Sequence, residues 1–275
     1  EIPKRDWSSD VCSSDLNWSL PISNGLEFCI PFIQASANSI IEYVSGTKLL
    51  FPAGVGGATP TASYQPATAP STLSASSPPV EIAMSYPTGI LSNGVSIYND
   101  KTASATSKLS LAGGINSIRV KFLVPALPTN QTNTHRSFIA KGPAFAATAT
   151  VDTNLFMGLD NNGITVRFGS YNNAGTFTFN QVTASSATLG IVANKWIDLI
   201  ATYQNNNVSF YVNGRFVTGI TAPAVSGVAQ SNILPIGIGC FTVATAAGPS
   251  FIQTVNPIYV MLGKIANIKI GRAHV

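Results

Sequence analysis

The segment from Lys195 to Gly219, KWIDLIATYQNNNVSFYVNGRFVTG, constrains the fold more than any other part of the chain. Apolar, β-branched and aromatic runs flank Gln204-Asn205-Asn206-Asn207, and a second break follows at Asn213-Gly214. Such runs favour extended chain, and Asn-Gly tolerates the positive φ values that a two-residue hairpin requires. The segment therefore predicts strand, turn, strand, turn, strand.

Runs of the same kind recur at 26–33, 39–43, 48–51, 80–84, 94–98, 117–124, 137–141, 154–159, 165–169, 176–182, 234–238, 258–261 and 263–268. Turn chemistry separates them at Asn93-Gly94, Asp160-Asn161-Asn162-Gly163 and Asn172-Asn173-Ala174-Gly175. Helical periodicity is nearly absent. Many short strands with closely spaced turns predict an all-β sandwich or barrel. One tract differs: Pro52 to Pro79 is rich in Pro, Ala, Ser, Thr and Gly and carries no charge. It reads as a long surface loop within one domain, because 26–51 is too short to form a stable unit by itself.

The two ends resemble a reagent and not a protein. Asp6–Leu16, DWSSDVCSSDL, is what a common short-read sequencing adapter encodes in one frame, and Ile270–Val275, IGRAHV, matches the complementary adapter. Residues 1–16 and 270–275 are therefore expected to be non-native tails around a single domain at 17–269, a fragment of a longer metagenomic reading frame.

Between residues 17 and 269 there are twelve basic and seven acidic side chains, spread along the chain without a basic cluster. A nucleic-acid binder concentrates Lys and Arg on one face, so nucleic acid is not an expected partner. Charged residues make up only 9% of the chain, against about 25% in an average soluble domain. No apolar run approaches the ~18 residues of a membrane helix. Cys29 and Cys240, on an early and a late apolar run, read as buried free thiols in preference to a disulfide. Neither sits in a metal or redox motif.

From Leu26 onward the chain resembles the laminin-G-like form of the concanavalin A-like lectin/glucanase superfamily. The resemblance rests first on Trp196, the strand ending in Thr202-Tyr203, the turn at Asn205–Asn207, Phe210-Tyr211-Val212 and Asn213-Gly214. Ile118–Val124, Phe138-Ile139-Ala140-Lys141-Gly142, Leu159–Ile164 and the closing Gly263–Ile270 follow in the family's order. An early loop departs from the family, with Glu42-Tyr43-Val44-Ser45-Gly46 where an Asp-Ser-Gly-Asn turn is usual. The resemblance implies an antiparallel two-sheet jelly roll. It also implies a non-enzymatic recognition or adhesion domain in a phage tail, virion or bacterial surface protein. The expected location is extracellular or on the virion surface, with a glycan or host cell-surface receptor as partner and homo-oligomeric assembly in a fibre. Two alternatives stand beside it: a glucanase-like carbohydrate-active enzyme on the same fold, and a purely structural virion decoration domain.

The residues weigh against the enzyme. Retaining hydrolysis needs two carboxyls about 5–5.5 Å apart, and no strand carries alternating acids. His135 lies in a polar loop with no acid near it in sequence, so a Ser-His-Asp arrangement has no support. Sugar recognition needs aromatic surfaces beside amide groups. Tyr171, Asn172, Asn173, Tyr203, Asn205 and Asn206 supply both, although ordinary turn chemistry also accounts for the asparagines. Laminin-G-like domains often bind calcium, and Asp152, Asp160 and Asn162 offer hard oxygen ligands for it. A hairpin turn explains Asp160–Gly163 equally well. Trp196 reads as core or rim packing, and Asp198 as solvated or paired with Arg215.

Overall fold

A computed structural model describes residues 26–30, 35–36, 39–42, 47–50, 62–63, 83–86, 95–96, 117–129, 136–141, 155–229, 236–239, 261 and 263–271. Numbered in chain order, one sheet runs β15 (Arg215–Thr221), β14 (Asn207–Val212), β13 (Ile197–Gln204), β8 (Ser117–Leu123), β18 (Gly263–Gly271), β6 (Ala83–Tyr86) and β5 (Ala62–Ser63). In the same sheet β1 (Leu26–Ile30) also pairs with β18. The second sheet runs β12 (Thr176–Ala184), β11 (Gly163–Asn173), β10 (Leu155–Asp160), β9 (Arg136–Lys141), β17 (Ile236–Ile238), β7 (Val95–Ser96), β4 (Thr47–Leu50), β3 (Ser39–Glu42) and β2 (Ala35–Ser36). A short strand, β16 (Val228–Ala229), adds to β11. The described strand pairs are antiparallel, as the expected jelly roll requires.

Alternation explains β8 and β13 of the first sheet, whereas β18 is buried from Ile265 to Gly271. In β8, Ile118, Val120 and Phe122 are buried while their neighbours are half-buried, and β13 repeats the pattern with Ile197, Leu199 and Ala201. These side chains meet Phe138, Met157, Leu159, Val166 and Phe168 of the second sheet in one apolar core. Phe122 and Phe138 stack across it with centroids 4.2 Å apart. The central strands of the second sheet, β9 and β10, are buried at every position.

The hairpins follow from left-handed residues. Asn205 (φ 50°) and Asn206 (φ 61°) join β13 to β14, and Asn213 (φ 50°) with Gly214 (φ 77°) joins β14 to β15. Two successive positive φ values give a turn whose twist matches the flanking strands. At the β10–β11 turn only Gly163 is left-handed, with φ 130°. A Cβ there would lie 2.0 Å from the Ala184 carbonyl oxygen.

Several expectations change. Cys29 is disulfide-bonded, not a free thiol. Its partner lies outside the described residues, as does Cys240. Asp198 pairs with Arg119 and not with Arg215. A short helix, α1 (Ser186–Leu189), stands where none was expected; the Ser185 Oγ accepts from the Thr188 N–H at 3.0 Å, and Gly190 (φ 64°) closes the helix. The 52–79 tract, expected to be a loop, contributes β5 to a sheet. The closing strand runs on to Gly271, with Ile270 fully buried.

Candidate functional site

A backbone irregularity positions the site. Along β11, Val166 pairs with Val182, but after a register shift between Arg167 and Ser170 the pairs become Ser170 with Phe179 and Tyr171 with Thr178. Before the shift the even residues Ile164, Val166 and Phe168 enter the core. After it Tyr171 shares a face with Thr178 and Asn180, on the side of Val182. Asn180 is 1% exposed, and its Nδ2 donates to the Tyr171 hydroxyl at 3.1 Å. The other polar atom of that amide, Oδ1, is buried without a hydrogen-bond partner.

Tyr203 approaches from the other sheet. It continues the inward series of β13, packs against the core edge and stacks on Phe168 with centroids 5.6 Å apart. Its hydroxyl donates to Asn206 Oδ1 at 3.3 Å, and Asn206 Nδ2 donates to the Ala222 carbonyl at 2.9 Å. Burial raises the Tyr203 pKa above its ordinary value, and the neighbouring Tyr171 hydroxyl raises it further. The two tyrosines thus converge at one end of the sandwich, both half-buried. Ser226 frames the same end: its N–H donates to Thr178 Oγ1 at 3.1 Å, and the Thr178 hydroxyl donates to the Ser226 carbonyl at 3.2 Å. Gly227 (φ 96°) permits the approach, since a Cβ there would lie 2.1 Å from the Asn172 carbonyl oxygen.

The other expected sugar ligands take different places. Asn172 Oδ1 accepts from the Gly175 N–H at 2.8 Å, which fixes the turn. Asn173 is exposed at the end of β11, and Asn205 is exposed in the β13–β14 turn. Sequence reasoning missed Asn180, Phe168 and Thr178. The alternation of β12 placed Asn180 on the Val182 face, a signal that was available.

The proposed calcium ligands do not assemble among the described residues. Asp160 Oδ1 accepts from the backbone N–H of Asn162 at 2.7 Å and of Gly163 at 3.0 Å. Its carboxylate caps the hairpin. Asn162 is exposed, and Asp152 and His135 lie outside the described residues. No group of three or more metal-ligating side chains occurs among the described residues. Asp160 alternates with the core residues of β10 and so faces outward from the second sheet, while Asp198 faces outward from the first. These two carboxylates therefore do not form a catalytic pair.

Two buried cations lie in β9. Burial lowers the Lys141 pKa to about 7 and also lowers that of Arg136, whose Nε is buried without a hydrogen-bond partner.

Residues 126–240 match the Laminin_G_3 family model of the concanavalin A-like lectin/glucanases superfamily. No curated protein matches the chain in sequence. Among solved structures, the chain resembles the binding domain of paraclostridial mosquitocidal protein 1, with 12% identity and a TM-score of 0.50 over 92% of this chain and 50% of that one. It similarly resembles the binding domain of botulinum neurotoxin DC in complex with SialylT, with 12% identity and a TM-score of 0.50 over 92% and 49%. A Trypanosoma rangeli sialidase in complex with 2,3-difluorosialic acid matches at 11% identity and a TM-score of 0.47, over 92% of this chain and 31% of the enzyme. The chain thus spans from 31% to 50% of the length of these structures. At such identities the likeness is one of fold.

Proposed function

We propose that this chain, which carries a concanavalin A-like, laminin-G-like segment at 126–240, is a non-enzymatic domain that recognises glycans on a cell surface. The observation that carries the reading is the convergence of Tyr171 and Tyr203 from opposite sheets, with Asn180 buried behind Tyr171. Half-buried rings supply apolar contact, and hydroxyls held by amides supply fixed hydrogen-bonding positions. Together these are the usual means of holding a small polar ligand. Among the described side chains, Asp160 and Asp198 stand on opposite outward faces and do not supply the paired carboxyls of glycoside hydrolysis. The disulfide at Cys29 suits an oxidising, extracellular setting. A host-recognition role on a phage tail, virion or bacterial surface is consistent with that setting.

The test is a glycan array probed with the full chain, with calcium and with chelator. Binding to a defined set of glycans is expected, reduced at least tenfold by Tyr171→Ala or Tyr203→Ala. An array with no signal in either condition overturns the reading. Binding that both variants retain in full moves the site elsewhere.

A further inference from the structure

The outward face of the first sheet carries a second arrangement of aromatic and polar groups. Cross-strand register sets Phe216, Tyr211, Ile200 and Arg119 in one row across β15, β14, β13 and β8. Their strand neighbours Phe210, Leu199 and Val120 enter the core, so this row faces outward. Phe216 is 61% exposed, and Tyr211 and Ile200 are half-buried. The Phe216 and Tyr211 rings meet edge to face at 5.6 Å and 69°. That geometry is a favourable aromatic contact and holds both rings in place.

A fixed carboxylate stands beside the row: Asp198, two residues before Ile200 on β13 and opposite Lys121 of β8. Arg119 donates to both Asp198 oxygens, from Nε at 2.8 Å and from Nη2 at 2.5 Å. The backbone of Asp198 is fixed as well: its N–H donates to Asn213 Oδ1 at 3.0 Å, and the Asn213 N–H donates to the Asp198 carbonyl at 2.8 Å. Each carboxylate oxygen has further lone pairs, and the Asp198 side chain is 22% exposed. The arginine offsets the charge, so what remains is a set of acceptors for neutral donors.

We infer that this row is a saccharide platform, in which a neutral pyranose lies against Phe216 and Tyr211 and donates hydroxyl hydrogen bonds to Asp198. The inference rests on the glycan-binding reading and adds to it a site on a different face of the domain. From Phe216 to Ile200 the row spans two strand spacings, roughly 10 Å. Such a strip is far smaller than the ~800 Å² per partner of a stable protein interface. A ligand with a flat apolar face and hydroxyls at its rim meets the row and Asp198 at once.

The experiment is calorimetric titration of the full chain with neutral oligosaccharides of glucose, galactose, mannose and N-acetylglucosamine. Phe216→Ala and Asp198→Asn are compared with Tyr171→Ala, and melting temperature and light scattering are recorded for each. At least a tenfold loss of affinity in both Phe216→Ala and Asp198→Asn, with Phe216→Ala folding as the wild type, is the expected result. If the wild type binds and these two variants bind equally well while Tyr171→Ala does not, the platform is wrong and the glycan reading stands. If no saccharide binds, both fall. A wild-type dimer that Phe216→Ala converts to monomer makes the row a contact between copies and also overturns the platform.

Discussion

Strands β9 to β11 and strands β13 to β15 draw on similar residues but meet solvent differently. In β13 and β14 burial alternates, so one face enters the core and the other is partly open. In β9 and β10 both faces are buried, and Phe156 lies outside the core between the sheets yet is 1% exposed. The difference separates two uses of a sheet. Strands β9 and β10 spend both faces on stability, as β18 of the first sheet also does, while β13 to β15 keep an outward face on which Phe216, Tyr211 and Asp198 are partly or fully exposed.

The most severe way to break this contrast is Phe156→Ala. If the outward face of β10 is a second packing surface, truncation costs about 3–5 kcal/mol, as for any buried Phe. Ile200→Ala, at a half-buried outward position on β13, costs about 1 kcal/mol or less. Urea denaturation of the two variants gives the comparison directly, and equal costs would erase the distinction between β10 and β13. Gly163→Ala comes next. Its φ of 130° and the crowding by Ala184 predict a loss of about 2–3 kcal/mol, read from the same transition.

Lys141 sharpens the contrast through pH. Its folded pKa of about 7 lies below the ordinary value of 10.5, because burial disfavours the charged form. Between those values the unfolded chain binds more protons than the folded one, so stability rises with pH. The charging penalty is absent above about 10.5, grows as pH falls, and is complete below about 7. The slope approaches ~1.4 kcal/mol per pH unit in that window. Lys141→Met is expected to flatten it, as followed by denaturation at pH 7.5 and 9, roughly the middle of the window. A wild-type slope that survives in the variant would assign the effect to another group.

The half-open strands β13 to β15 are the more legible ones. Alternation in Ile197–Gln204 and the left-handed Asn205-Asn206 and Asn213-Gly214 turns follow from local chemistry, and the structure reproduces them. The sequence marks only 165–169 of strand β11, which runs Gly163–Asn173, because a strand buried on both faces over much of its length lacks alternation. The register shift that turns Tyr171 toward Asn180 leaves no unambiguous mark in sequence. Helix α1 had its caps in view at Ser185 and Gly190, but four residues are too few to show a period.

Asp198 shows the limit most clearly. Sequence proximity suggested Arg215 across the hairpin, whereas the partner is Arg119, 79 residues away. That pairing needs β8 beside β13, which no local pattern announces. The ion pair is partly exposed, with side-chain exposures of 14% and 22%. Asp198→Asn should therefore cost only about 1 kcal/mol. Adding Arg119→Ala to it should cost less than the two single losses summed, because the contact is already gone. A double-mutant cycle in urea measures that coupling. Strict additivity would mean that Arg119 and Asp198 do not hold each other in solution, and the outward face would lose the fixed carboxylate that distinguishes it from a plain polar surface.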